Sequence, residues 1–245
     1  MNLRTVGGWL ALVYTVQVGA AHAAMVSYGF GCISSNVAAA CSAGQQQFRV
    51  EVTNELNNAA LTGQVLFLFH NAGPVASSIT DVYFDDGTLL SIAQVLNSSG
   101  VSFSPLAAPG NLPGGNALSP AFVTTAGFSA DSNAPVQLNG ANPGEHVGIL
   151  FNLLEGKAYA DVIDSLNGAV TQAGGAPALR IGVHAQGFAD GSSASFVNTP
   201  TAVPLPGAAG LLLMGLVAMA RGRKRQSHVR TSPQVTPTSS SAMMM

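Results

Sequence analysis

Three histidines, His70, His146 and His184, and three acids, Asp81, Asp85 and Asp86, are the side chains best suited to chemistry in the interior of this 245-residue chain. Imidazoles ligate metals or carry protons. Carboxylates gathered at a turn can hold Ca²⁺, which takes about six to eight oxygens. The spacing favours neither. None of the histidines has a carboxylate or a second histidine at ligand spacing, although Glu145 adjoins His146. A strand segment separates Asp81 from Asp85, and Asp85-Asp86-Gly87 reads first as a turn with solvated charge. Asp131-Ser132-Asn133 and Asp190-Gly191-Ser192 are also turn chemistry, and Asp161 and Asp164 fall on the polar face of a helix. Nothing else points to a glycosidase pair of carboxylates. The chain lacks the Gly-x-Ser-x-Gly elbow, the phosphate-binding P-loop, the His-Glu-x-x-His pair and the Gly-x-Gly-x-x-Gly turn. It is read as a non-enzymatic protein, with no catalytic, cofactor-binding or metal-ligating residue.

The elements that would position these groups are mostly strands. Phe48 to Thr53 alternates apolar and polar, as a half-buried strand does. Asn54 to Asn58 reads as turn. Val65 to Phe69 is continuously apolar and stops at His70-Asn71-Ala72-Gly73-Pro74, as expected of a central strand buried on both faces. Ile79–Phe84 and Leu89–Val95 flank Asp85-Asp86-Gly87, which predicts a β-hairpin with Gly at positive φ. Ser104 to Gly144 is rich in Pro, Gly and Asn and reads as long loop, with weak strands at Phe122-Val123-Thr124 and Val136-Gln137-Leu138. His146 to Leu154 is strand again. Tyr159, Val162, Ile163 and Leu166 recur at helical spacing and predict one short helix. Leu179–Ala185 and Ser195–Val197 complete the strands. Turn-separated strands with one helix predict a mainly β fold, an antiparallel β-sandwich over residues 24–198.

Both ends of the chain differ from this body. Arg4, an apolar run from Val6 to about Gly19, and Ala21-His22-Ala23 form a signal peptide over residues 1–23, with cleavage between Ala23 and Ala24. At the other end, linker residues 199–202 lead to Val203-Pro204-Leu205-Pro206 and an uncharged run over 207–220. The run closes with Arg221, Arg223, Lys224 and Arg225. Fourteen helical residues span roughly 21 Å, and 18 counted from Val203 roughly 27 Å, against a hydrocarbon core of about 30 Å. The run is apolar on all sides and ends in cations, so it reads as a transmembrane helix with a cytoplasmic stop. Residues 221–245 form this basic stop and a Ser/Thr/Pro-rich disordered tail. Between the signal and Pro206 lie Arg49, Lys157 and Arg180 against all eleven acids, so that part carries 3 − 11 = −8 and is not suited to nucleic acid. Cys32 and Cys41 are an even pair just inside the mature protein, and an exported chain would join them.

The motif, greasy helix and Arg-rich end resemble the PEP-CTERM sorting signal of Gram-negative bacteria, in its Val-Pro-Leu-Pro variant. The resemblance covers Val203 to Arg225, about a tenth of the chain. It departs from the main pattern at Leu205, where Glu is usual, and in the twenty residues from Gln226 to Met245. It implies processing by an exosortase, a membrane Cys protease-transpeptidase, and a place at the cell envelope, surface or extracellular matrix. The partners so implied are the membrane, the processing enzyme and exopolysaccharide, with a structural role in the biofilm matrix. A carbohydrate-binding or adhesive module is the alternative, weakened because the mature region has no Trp. A hydrolase with a dispersed site ranks third.

Overall fold

The computed structural model describes residues 25–168, 170–175 and 177–199. The signal peptide with its Ala23–Ala24 junction lies outside the described residues. So do residues 200–202, the sorting motif Val203 to Pro206, the 207–220 helix, the basic cluster and the tail. Among the described residues no helix is long and apolar enough to cross a membrane.

The body is mainly β and antiparallel. Its strands are β1 (Val26–Cys32), β2 (Phe48–Thr53), β3 (Glu55–Leu56), β4 (Ala59–Ala60), β5 (Gln64–Asn71) and β6 (Ser78–Asp85). They continue with β7 (Leu89–Asn97), β8 (Phe103–Pro105), β9 (Ser129–Ser132), β10 (His146–Leu153), β11 (Arg180–Gln186) and β12 (Ala194–Thr199). Ten of them form one sheet in the order β7-β10-β5-β2-β1-β12-β11-β6-β9-β8, and β3 pairs with β4 as a separate ribbon. The period-2 pattern of β2 is realised: Phe48, Val50 and Val52 are buried, while Arg49 and Glu51 lie on the other face. The apolar run of β5 is central, bonded to β2 on one side and β10 on the other.

The sheet curls until its inner face meets itself. Phe67 on β5 touches Phe84 on β6 with ring centroids 5.1 Å apart, although β5 and β6 are far apart in strand order. Phe84 also meets Phe151 on β10 at 4.6 Å, and Phe151 stacks on Phe128 at 5.6 Å. Such aromatic pairs contribute about 0.5–1.5 kcal/mol each beyond the area they bury. A second, smaller core of Tyr83, Leu112 and Phe122 lies on the outer side of β6, under the 106–125 segment.

The predicted hairpin across Asp85-Asp86-Gly87 does not form. β6 pairs with β11 and β9, and β7 pairs with β10, so this turn carries the chain between distant strands. Asp86 Oδ1 accepts the backbone N–H of Thr88 and of Leu89, both at 2.8 Å, and turns the chain away from pairing. Gly87 is required for space: a Cβ there would sit 2.6 Å from the carbonyl oxygen of Ala178.

Three α-helices are present among the described residues: α1 (Ala38–Gln47), α2 (Val136–Asn139) and α3 (Tyr159–Leu166). The predicted helix is α3. It packs Val162 and Leu166 into the core, and Asp161 Oδ2 caps its start by accepting the Ala158 N–H at 2.7 Å. Ala-rich α1 lacks the apolar stripe that would have marked it, and it lies close to β12 because Gly44 leaves room for the Phe196 ring. The weak strand expected at Val136-Gln137-Leu138 is instead α2. Pro135 fixes the entry, and the Pro135 and Val136 carbonyls accept N–H bonds from Asn139 and Gly140, so local bonds outweigh an apolar spacing that leaves Leu138 exposed. Phe122-Val123-Thr124 is not a strand either. Phe122 is buried and Val123 is 60 % exposed, and the segment is tied down by the Thr125 N–H to Phe84 and by side chains.

Candidate functional site

Cross-strand register places His146 opposite His70 and His70 opposite Arg49, so β10, β5 and β2 present a row of basic side chains on the outer face. Glu51 occupies the next outward position of β2. Its Oε1 accepts Arg49 Nε at 3.1 Å, and its Oε2 meets His70 Nε2 at 3.0 Å. The His70 and His146 rings lie 5.4 Å apart. Burial lowers the pKa of His70, and Arg49 and His146 add to the effect, while Glu51 opposes it. Burial thus favours the neutral form of the His70 imidazole, which meets Glu51 through Nε2.

This row borders a cleft of about 530 Å³ on the same face. Its floor is apolar: Leu66 and Leu68 on β5 and Leu96 on β7. Gly148 of β10 lies between them, and any Cβ there would come within 3.1 Å of Leu96. The rim is polar, with Thr53, Glu55, Asn57, Asn58, Ser98 and His146. Asn57 and Asn58 form the two-residue loop of the β3–β4 ribbon, at φ 53° and 63°, the conformation a type I′ hairpin requires. Ser98 Oγ donates to the His146 carbonyl and fixes the far end of the rim. An apolar floor under a rim of amides, two hydroxyls, an imidazole and a carboxyl group can hold a polar ligand with an apolar face.

The other sequence candidates fall elsewhere. His184 lies on β11 with Nδ1 3.1 Å from Asp81 Oδ2, and Thr80 Oγ1 donates to the same oxygen at 2.8 Å. Asp81, Asp85 and Asp86 do not converge. Asp85 forms a buried ion pair with Arg180, whose guanidinium also bonds the Pro120 and Ala121 carbonyls and lies 5.3 Å from the Phe122 ring centroid. Asp190 bonds Ser192 within its own exposed turn, which holds its carboxyl below the usual range. Glu145 turns away from His146 to accept the Asn142 N–H. Among the described residues no group of three or more His, Cys, Asp or Glu is arranged to hold a metal ion. Cys32 and Cys41 are joined as a disulfide, linking the end of β1 to α1.

The Arg49–Glu51–His70 contact was not anticipated from the sequence. Arg49 and Glu51 alternate outward on one strand and His70 on another, and only the register between the strands joins them. No family model, no curated protein and no solved structure matches this chain.

Proposed function

We propose that the chain is an exported, non-enzymatic surface or extracellular-matrix protein. A signal peptide directs it across the inner membrane of a Gram-negative bacterium, the C-terminal helix tethers it there, and an exosortase-type enzyme processes it at Val203 to Pro206. Its exported body is a sandwich-like β module. The observation that supports the export in this reading is the Cys32–Cys41 disulfide, a bond that persists in oxidising compartments and is rare in the reducing cytosol. Mass spectrometry of the mature protein tests it. Termini at Ala24 and near the sorting motif, dependent on the processing enzyme, are the expected result. A cytosolic product with both ends intact overturns the reading.

A second reading, a carbohydrate-binding module, draws on the cleft. Its amide and hydroxyl rim suits sugar hydroxyls, and its leucine floor stands where such sites often place an aromatic ring. A glycan array probed with wild type and with the Asn57→Ala/Asn58→Ala pair checks it: specific binding that the pair abolishes supports it, and no binding rejects it.

A further inference from the structure

Asp131 on β9 and Asp81 on β6 stand directly opposite one another in an antiparallel register. Asp81 is 2 % exposed and Asp131 only partly buried, so two anions facing each other there would repel, with solvent screening the outer one. Thr80 supplies a donor to Asp81, and at Asp131 burial and the Asp81 charge outweigh the backbone N–H groups of Ala108 and Ser132, which favour its charged form. Thr80 Oγ1 donates to Asp81 Oδ2 at 2.8 Å, and His184 Nδ1 lies 3.1 Å from the same oxygen, while Asp131 faces Asp81 across the register. Asp81 thus has a hydroxyl donor of its own, and Asp131 is the carboxyl set against it. We propose that the Asp131–Asp81 contact is an acid-sensitive latch that holds β9, and the loop hung on it, against β6 while Asp131 is protonated.

The connection from carboxyl to loop is short. β9 meets β6 through only three register pairs, Asp81–Asp131, Val82–Ala130 and Tyr83–Ser129. β9 then anchors the chain that leaves β8, since the Leu106 N–H bonds the Ser129 carbonyl and the Ala107 N–H bonds Ser129 Oγ. Tyr83, which also faces Asp131, donates its hydroxyl to the Pro109 carbonyl. On the far side β8 presents Ser104 opposite Asp131, a neutral side chain engaged with Asn133. Asp131 thus faces Asp81 and Tyr83 on β6, with His184 behind Asp81.

Burial, and then the charge of Asp81, push the Asp131 carboxyl up to about 6. A carboxyl raised on folding binds its proton more tightly in the native state. Its contribution is complete on the acid side of the ordinary Asp range and is lost as pH rises through about 6. His70 acts in the opposite sense, because its lowered value makes acid destabilising. The test therefore compares a variant with wild type at each pH, using the full-length chain.

Asp131→Asn keeps a donor toward Asp81 but cannot ionise. Its melting midpoint should exceed that of wild type by about 2–6 °C at pH 7.5, a margin that closes toward pH 4. Wild-type amide exchange over 103–112 and 129–132 should exceed that of the variant at pH 7.5 and match it at pH 4.5. A margin that is flat with pH, or a difference in exchange that lies elsewhere, overturns the latch. Carbon-13 titration of the wild-type carboxyls gives an answer even if the variant misfolds: an Asp131 midpoint near 6 is expected, and one near 4 refutes the proposal. The outcome is independent of export and sorting, so its failure would leave the proposed function untouched.

Discussion

Gly87 shows how one residue can serve a different purpose from the one its dipeptide suggests. Asp-Gly between apolar runs normally marks a hairpin in which glycine supplies positive φ. Here the backbone at Gly87 is outside that region and the constraint is the Ala178 carbonyl, 2.6 Å from where a Cβ would be. The two explanations separate experimentally. Asn is tolerated at positive φ, so a hairpin glycine would accept Asn better than Ala. Steric exclusion makes both Gly87→Ala and Gly87→Asn destabilising, by about 1–3 kcal/mol, because the obstacle is backbone and yields little. Urea unfolding measures both, and an Asn variant as stable as wild type would show that close approach is not the constraint.

At the scale of elements, the disulfide and the sheet edges carry most of the meaning. The bond closes a short loop, with a separation of nine residues between Cys32 and Cys41, and pins α1 to the end of β1. Chain-entropy arguments give it about 2.5–3 kcal/mol. Reductant should lower the urea midpoint by a corresponding amount, and thiol labelling should appear only after reduction; an unchanged midpoint would mean that α1 is held by packing alone. The outer edges of the sheet are guarded. β7 carries bulges that leave Leu90 and Ala93 without partners in the β10 register, which breaks the regular edge another strand would need. β8 is three residues long and ends in Pro105. Periodicity revealed the strands with a strong pattern, such as β2 and β5, and also α3. It did not reveal α1, whose alanines have no stripe, or α2, which local bonds after Pro135 decide. Which strands pair was hidden for a different reason: a 2-residue period fixes the face a side chain occupies and says nothing about its neighbour. That is why Arg49, Glu51 and His70 could be placed outward and yet not placed together.

The distribution of charge governs the whole molecule. Residues 24–206 carry −8, while five of the nine cations follow the 207–220 run. Cations close to an apolar segment stay on the cytoplasmic side, because moving them through hydrocarbon costs about 2.5–3.5 kcal/mol each at the bilayer centre. Acidic residues bias orientation little, so in the proposed topology the tail and not the body would set the direction. A reporter fused after Met245 should therefore read cytoplasmic in a strain without the processing enzyme. Replacing Arg221, Arg223, Lys224 and Arg225 together with Gln should remove the stop and let the reporter reach the periplasm in part of the population. Periplasmic activity from the unmutated fusion, or no change on replacing the four cations, would show that the 207–220 run is not a stop-transfer helix. The role proposed for the chain would then lose its tether, while the fold of residues 25–199 and the Asp131–Asp81 contact would stand, since neither depends on it.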